Sequence, residues 1–296
     1  MESINNETET LAEEIRQVLA EQPHVESLLN AFGPLLLEKS RWLAEVRNYK
    51  KTFPVDAIQY EGGISLMQQC QLFLPEDLWK SAGLAVAQGL SQGFSHLAED
   101  IKGLSEQIAE GRFDCFSLIH STVESDDEQL TSLAEGLGVE PALLQVFLRF
   151  LARFMLTKRA QDMAAELAPL AWKKGYCPVC GSFPQLAIIR DKGHRWLQCS
   201  DCSHEWQFPR LTCPYCDHED PENTNYVFVE GKKEDTAFIC SKCRRYLVTA
   251  NRSETLRQTH PDVIAISLAH LDLILQGKGF MPMSECEWNT FKAGPG

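Results

Sequence analysis

Eight of the chain's eleven cysteines fall in four Cys-x-x-Cys pairs: Cys177 and Cys180, Cys199 and Cys202, Cys213 and Cys216, Cys240 and Cys243. A Cys-x-x-Cys turn lets two thiolates reach one ion while backbone N–H groups point at the sulfurs, and two such turns complete a tetrahedral all-sulfur site. Between the first two pairs lie 18 residues, between the last two 23, and only ten separate Cys202 from Cys213. The spacing reads as two successive modules, an internal duplication in which each copy opens with Cys-Pro-x-Cys and closes with Cys-Ser-x-Cys. Each module is expected to hold one metal ion on its four cysteines. Tetrahedral all-sulfur geometry suits zinc or a single iron of rubredoxin type, and the spacing does not choose between them. The competing reading, four redox-active dithiols, would place each pair at the start of a helix after a strand. Here the pairs flank strand-like segments instead. The odd cysteine total argues against a disulfide framework.

The elements that must position these sulfurs are two hairpins. Leu186–Ile189 and Arg195–Gln198 flank a turn at Asp191-Lys192-Gly193, and Tyr226–Val229 and Ala237–Ile239 flank one at Glu230-Gly231-Lys232. Each hairpin is expected to carry a cysteine turn at both ends of its ladder. Modules this small cannot stand on a hydrophobic core alone, and a metal supplies the missing stability. Cys180 is followed by Gly181, which relieves crowding around the sulfurs, whereas Ser203, Asp217 and Arg244 follow the other three pairs and weaken that parallel. Lys192, Lys242, Arg244 and Arg245 are candidates to offset thiolate charge.

Upstream, residues 5–172 are rich in Leu, Ala, Glu and Gln with apolar residues at helical spacing. Six or seven helices are expected, including one that opens at Leu74-Pro75-Glu76-Asp77 and runs to about Ile101. Glycines at 83, 89 and 93 in that helix would permit close helix packing. Residues 53–63 read as a connection, and Lys173-Lys174-Gly175 as a hinge. Helical pattern returns after residue 260. The fold class expected is α+β: an all-helical N-terminal domain (1–172), two small rubredoxin-like or zinc-ribbon modules (173–208 and 209–250), and a C-terminal helix and tail (251–296).

The chain of 296 residues carries a formal net charge of −13. Residues 173–250 sum to +1, so the acidity belongs to the helical parts. That balance speaks against a nucleic-acid binder, although aromatics (Trp196, Trp206, Phe208, Tyr246) interleave with arginines in the cysteine region; core and interdomain packing is expected for them. No run of 18 apolar residues and no basic, apolar leader occurs, so neither membrane insertion nor secretion is expected, and the compartment expected is the cytoplasm. His194, His204 and His218 lie near the pairs and are expected to be surface residues rather than ligands. Cys70, Cys115 and Cys286 are expected to be buried thiols. Arg149 and Arg153 are expected on a solvated helix face, the alternative being a grip on an acidic peptide. No phosphate loop, dinucleotide fingerprint, zinc-hydrolase helix or serine-nucleophile motif is present, and a fully thiolate-ligated metal lacks the open position that hydrolysis needs, so no enzymatic activity is expected.

Several residues together resemble a known family. They are Tyr176-Cys-Pro-Val-Cys-Gly-Ser-Phe-Pro184, the pair at Cys199 and Cys202 followed by His204-Glu-Trp206, the pairs at 213/216 and 240/243, the closing segment Asp262-Val-Ile-Ala-Ile-Ser-Leu-Ala-His-Leu-Asp-Leu-Ile274, and Gly279-Phe280. In order and spacing they resemble the bacterial formate dehydrogenase accessory protein family FdhE. The resemblance implies a cytoplasmic assembly factor needed for active respiratory formate dehydrogenase. It implies action on the catalytic subunit, a molybdenum or tungsten enzyme with an iron–sulfur cluster, before twin-arginine export. It also implies a helical domain followed by two rubredoxin-like modules, and iron as the metal, with zinc as a substitute, on all eight cysteines. Two other readings stay open: a rubredoxin-like electron-transfer protein and a nucleic-acid-binding zinc ribbon. Self-association also stays open.

Overall fold

The computed structural model describes residues 2–124, 127–229, 232–254 and 259–290. Among these, nine α-helices precede the cysteine region: α1 (Glu2–Glu21), α2 (Glu26–Glu45), α3 (Ala57–Gly62), α4 (Leu66–Gln69), α5 (Trp79–Gly93), α6 (Ala98–Ala109), α7 (Cys115–Glu124), α8 (Asp127–Leu137) and α9 (Pro141–Leu167). The number exceeds the six or seven expected for two reasons. The connection at 53–63 contains α3, started by Asp56, whose carboxylate accepts from the Ile58 and Gln59 N–H groups and so satisfies donors that a helix start leaves orphaned. The helix expected from Leu74 to Ile101 is two helices. Asp77 is drawn away into other bonds, accepting from Leu74 N and the Tyr49 hydroxyl, so α5 starts at Trp79. Phe94 then leaves the helical conformation, and one 3-10 turn precedes α6.

Close approach of α5 to α2 depends on glycine. A Cβ on Gly89 would lie 2.9 Å from Leu35 Cα, and one on Gly93 would lie 1.9 Å from the Ala31 carbonyl oxygen. The long α9 packs on α5 and α8. It begins with Pro141 in the first turn, where a missing N–H is harmless. Its apolar residues bury Leu144, Phe147, Leu151 and Phe154. Further along it carries Lys158, Arg159 and Asp162, all buried. Arg159 pairs with Asp77, donates from Nε to Leu72 O at 2.8 Å, and stacks on Phe53. That cluster ties the long 46–78 connection down onto α9.

The cysteine region and the C-terminal segment contribute strands to one sheet. They are β1 (Pro184–Arg190), β2 (His194–Cys199), β3 (Glu205–Gln207), β4 (Thr224–Val229), β5 (Lys232–Cys240), β6 (Arg245–Asn251) and β7 (Met281–Pro282). The order is β3-β2-β1-β6-β5-β4, with β7 beside β6. Each half is an antiparallel meander, and the two halves join through a parallel pairing of β1 with β6 (Ala187 opposite Thr249, Ile188 opposite Ala250). The hairpins expected from sequence are present, in registers that set Ile188 opposite Trp196 and Tyr226 opposite Phe238. Asp191, Lys192 and Gly193 all adopt left-handed conformations in the first turn; Glu230 and Gly231 of the second lie outside the described residues.

Both faces of this sheet are covered. The closing helical segment divides at Leu268 into α10 (Pro261–Ser267) and α11 (Ala269–Gly277), which bury Leu186, Ile188, Tyr246 and Val248 beneath Ile264, Leu268 and Leu271. The opposite side, with Ala187, Leu197, Phe238 and Leu247, belongs to the same core as the helical domain. Six consecutive residues of β1 are therefore buried, the pattern of a strand covered on both sides.

Candidate metal centre

Four cysteine turns come together as two groups. In the first, Cys177, Cys180, Cys199 and Cys202 place their sulfurs within 4.8 Å of one another, and in the second Cys213, Cys216, Cys240 and Cys243 do the same. Across the turns, Cys177 faces Cys202 and Cys180 faces Cys199 at 3.3 Å, while Cys213 faces Cys243 and Cys216 faces Cys240 at 3.8 Å. A tetrahedron with metal–sulfur bonds of about 2.3 Å has edges of about 3.8 Å. The second group stands at that spacing and the first is somewhat contracted. The donor set is all sulfur, and among the described residues no imidazole or carboxylate joins either group.

Local backbone builds each turn in the same way. Cys177 N–H donates to Ser182 O at 2.8 Å, Cys199 N–H to His204 O at 2.9 Å, and Cys213 N–H to His218 O at 2.8 Å. Val179 N–H points at the Cys177 sulfur at 3.4 Å, and Asp201 N–H at the Cys199 sulfur at 3.4 Å. The residue after each second cysteine is left-handed in all four turns: Gly181 at φ 83°, Ser203 at 56°, Asp217 at 55° and Arg244 at 56°. The absence of glycine at three of these positions, which weakened the parallel in sequence, does not alter the geometry.

Electrostatics favour a cation in each group. Burial pushes the Cys177, Cys199 and Cys202 thiols up, whereas Cys180 is held well below the usual thiol range because the neighbouring sulfurs hydrogen-bond to it. Burial likewise pushes Cys213 up, and Cys243 up to about 12; Cys240, although burial acts in the same direction, is held down by the N–H groups of Cys243 and Lys242. Four thiolates cannot coexist in such a space unaided. A divalent or trivalent ion would supply the missing charge and displace the protons.

The two groups differ in their surroundings. The first is clasped by the helical domain. Leu66 N–H and Met67 N–H, at the start of α4, donate to Pro178 O and Val179 O at 2.9 Å. Arg153 on α9 reaches Asp201 at 3.4 Å, and Lys39 on α2 reaches Ser203 Oγ at 3.2 Å. In the second group Cys216 and Cys243 are half-buried, and Lys242 and Arg244 beside them are exposed. The groups meet where Phe183 packs on Tyr215 at 4.6 Å and Gly175 presses on Pro214, whose oxygen would lie 1.9 Å from a Cβ at that glycine. Lys174 and Gly175 are thus packed between elements, with Trp206 Nε1 donating to Lys174 O at 3.1 Å.

None of the three histidines near the pairs joins a cysteine group. Burial drives His204 down to about 4, so it is neutral, and its ring stacks on Trp206. His218 lies 3.3 Å from Lys242 Nζ, and His194 is exposed at the start of β2. Lys192 sits at the far end of its hairpin and does not offset thiolate charge, whereas Lys242, Arg244 and Arg245 neighbour the second group. Cys115 and Cys286 are buried and Cys70 is half-buried. The expectation of a solvated arginine face on α9 is corrected for Arg153, which is 6% exposed and paired with Glu287. Arg149 meets the same carboxylate at 3.2 Å, so both arginines hold the C-terminal segment.

Sequence reasoning missed a buried polar network between α2, the sheet and α10. Asp262 accepts from Lys39 Nζ at 2.5 Å and from Gln185 and Gln198 at 2.9 Å. Burial acts to raise its carboxyl, but Lys39 and His260 outweigh burial and hold it well below the usual carboxylate range. It missed Arg195 as well. This fully buried residue of β2 donates to Pro209 O and to Thr212 O, the latter at 2.5 Å, and lies between Phe208 and Phe238. It thereby clamps the ten-residue link between the two groups. The arginine–aromatic interleaving in the sequence was the available signal.

A helical domain joined to one sheet that carries two tetracysteine groups defines a class of protein with rubredoxin-like or zinc-ribbon modules. Within that class, residues 176–210 match the family model described as FdhE, central domain. A protein FdhE homolog of Aquifex aeolicus (strain VF5) is 33% identical over 115 residues, which is 37% of this chain and 40% of that protein. One from Pseudomonas aeruginosa is 32% identical over 120 residues, 36% of this chain and 37% of that protein. The aligned stretch thus spans about two fifths of these relatives' own length. The crystal structure of the FdhE protein from Pseudomonas aeruginosa superposes with a TM-score of 0.58 at 21% identity, covering 96% of this chain and 95% of that one. The chain is FdhE-like in its central sequence and in its fold.

Proposed function

We propose that the chain is a cytoplasmic maturation factor of the FdhE type, which binds the catalytic subunit of a respiratory formate dehydrogenase and is needed for that enzyme's activity. The observation that carries the reading is the pair of all-thiolate groups seated against a helical domain, in a chain whose central segment matches FdhE. Eight cysteines (Cys177, Cys180, Cys199, Cys202; Cys213, Cys216, Cys240, Cys243) would hold two ions, iron in the cell with zinc as a substitute. When bound, the ions cross-link the four turns and, if iron, can take up or release one electron each. Among the described residues no helix is long and apolar enough to cross a membrane.

The test pairs capture of the formate dehydrogenase catalytic subunit by the tagged protein with formate dehydrogenase activity in a deletion strain. Capture and lost activity are expected; no capture together with normal activity overturns the reading. Cys180→Ser and Cys216→Ser should each reduce the metal content from two ions to one, measured by elemental analysis. If both variants also support full enzyme maturation, the metals are not part of the mechanism. One observation favours a second reading, an electron carrier of rubredoxin type: Cys216 and Cys243 are partly exposed. That reading requires ferric–thiolate absorption and reversible reduction in protein from its native host, and a colourless zinc preparation excludes it.

A further inference from the structure

Beside the second cysteine group the surface is both apolar and cationic. Tyr215 is 36% exposed, Ile274 41% and Met281 49%. Contacts make these one continuous face. The Arg245 guanidinium lies 4.0 Å over the Tyr215 ring and donates to Pro282 O at 2.6 Å. Next to it, Met281 N–H donates to Arg244 O at 2.9 Å. Arg244 in turn stacks on Phe280 at 5.4 Å and donates to Gly279 O at 3.1 Å. Phe280 N–H closes onto Leu275 O at 3.0 Å, which sets the face against the end of α11, where Ile274 and Lys278 are exposed.

Large apolar side chains left bare in one place mark a contact surface. Its charge indicates the occupant. Exposed Arg244 and Lys278 rim the face of a chain whose net charge is −13. A second copy docked by the same face would set guanidinium against guanidinium. A nucleic acid would meet the repulsion of the whole chain. An acidic protein segment bearing apolar side chains satisfies both the rim and the centre, the arrangement of a specific protein interface.

We propose that this face, formed by the fourth cysteine turn, β7 and the end of α11, receives an acidic, apolar-studded segment of the enzyme subunit. The proposal rests on the maturation-factor reading. A segment seated there lies over the half-buried Cys216 and Cys243, so docking shields the second group from solvent.

The test uses the full chain with its metals and the purified formate dehydrogenase catalytic subunit in a calorimetric titration. Arg244→Glu combined with Lys278→Glu, and separately Met281→Asp, should each weaken binding at least tenfold, and added salt should weaken binding of the unchanged protein. Lys102→Glu, on the exposed side of α6, should leave the affinity as it is. Unaltered binding by the first two variants overturns the docking face and leaves the functional reading standing; no binding by the unchanged protein overturns both. A second measurement avoids variants. The subunit should slow removal of the faster-released ion by a chromogenic chelator at least tenfold, and an unchanged rate overturns the proposal. Retention of a duplex DNA oligonucleotide through the same arginines would overturn the choice of an acidic protein segment.

Discussion

At the scale of single residues, the cysteine turns are bought with backbone strain. Each needs a left-handed residue immediately after its second cysteine, because the chain must turn back while its N–H groups stay aimed at sulfur. Only Gly181 meets this without a side-chain penalty. Ser203, Asp217 and Arg244 adopt the same conformation against the ordinary preference of L-residues, which costs roughly 1–2 kcal/mol per residue. Asp217 is exposed, and aspartate tolerates this region better than most residues. Asp217→Gly should therefore leave metal content unchanged and raise stability by up to about 1 kcal/mol, read as an increase in thermal midpoint. The reverse change, Gly181→Val, should destabilise the first group: a β-branched residue is badly placed at φ 83°, and a Cβ there already meets Ser65 Oγ at 3.3 Å. The two groups of four cysteines were plain from residue type and spacing. The conformation after them was not, since three of the four positions carry no glycine.

At the scale of elements, glycine again decides, this time by volume. Gly93 lets the end of α5 lie against the backbone of α2, and Gly93→Ala should cost about 2 kcal/mol or more because the obstructing atoms are backbone. Gly103 on α6 is the contrast: a Cβ there meets nothing within 4 Å, so Gly103→Ala should stabilise by up to about 1 kcal/mol through helix propensity. Chemical denaturation of the two variants side by side checks both signs. Glycines 83, 89 and 93 were legible as permission for close packing, but not that Gly89 and Gly93 would be the two pressed on the backbone of α2. The extent of α5 was misjudged because Asp77, a good helix-start residue by type, is taken by Arg159 and Tyr49 from distant parts of the chain. Local preference yields where a buried arginine requires a carboxylate. The hairpins, by contrast, were readable as strand segments and turns, because alternation and turn residues are local properties.

At the scale of the whole molecule, α11 is fastened to the sheet by a buried carboxyl, Asp272, that meets Tyr246 of β6. Burial pushes the Asp272 carboxyl up to about 7, although the Tyr246 hydroxyl donates to it at 2.7 Å and acts the other way. An aspartate in the unfolded chain loses its proton near about 3.9. Between that value and about 7 the folded protein holds a proton that the unfolded chain has released, so this group makes stability fall as pH rises through the window and adds no further change above it. Asp272→Asn should flatten that part of the profile, with the gain over the parent larger at pH 8 than at pH 5 in urea midpoints. A gain that is equal at both pH values would mean that the carboxyl is ionised throughout.

The sequence by itself determined the chemistry: eight sulfurs in four turns, two groups of four, and a helical region distinct from a strand-rich one. Residue type and short-range spacing suffice for that, because a Cys-x-x-Cys turn and a hairpin are each made within a few residues. Only the tertiary structure decided that the two halves share one sheet through β1 and β6. It alone placed the first group beneath α2, α4 and α9 while leaving the second partly open, and assigned Arg153, Arg195 and Asp262 to join the parts. Those outcomes depend on which distant surfaces meet, where burial of charge and apolar area is settled jointly by residues far apart in the chain.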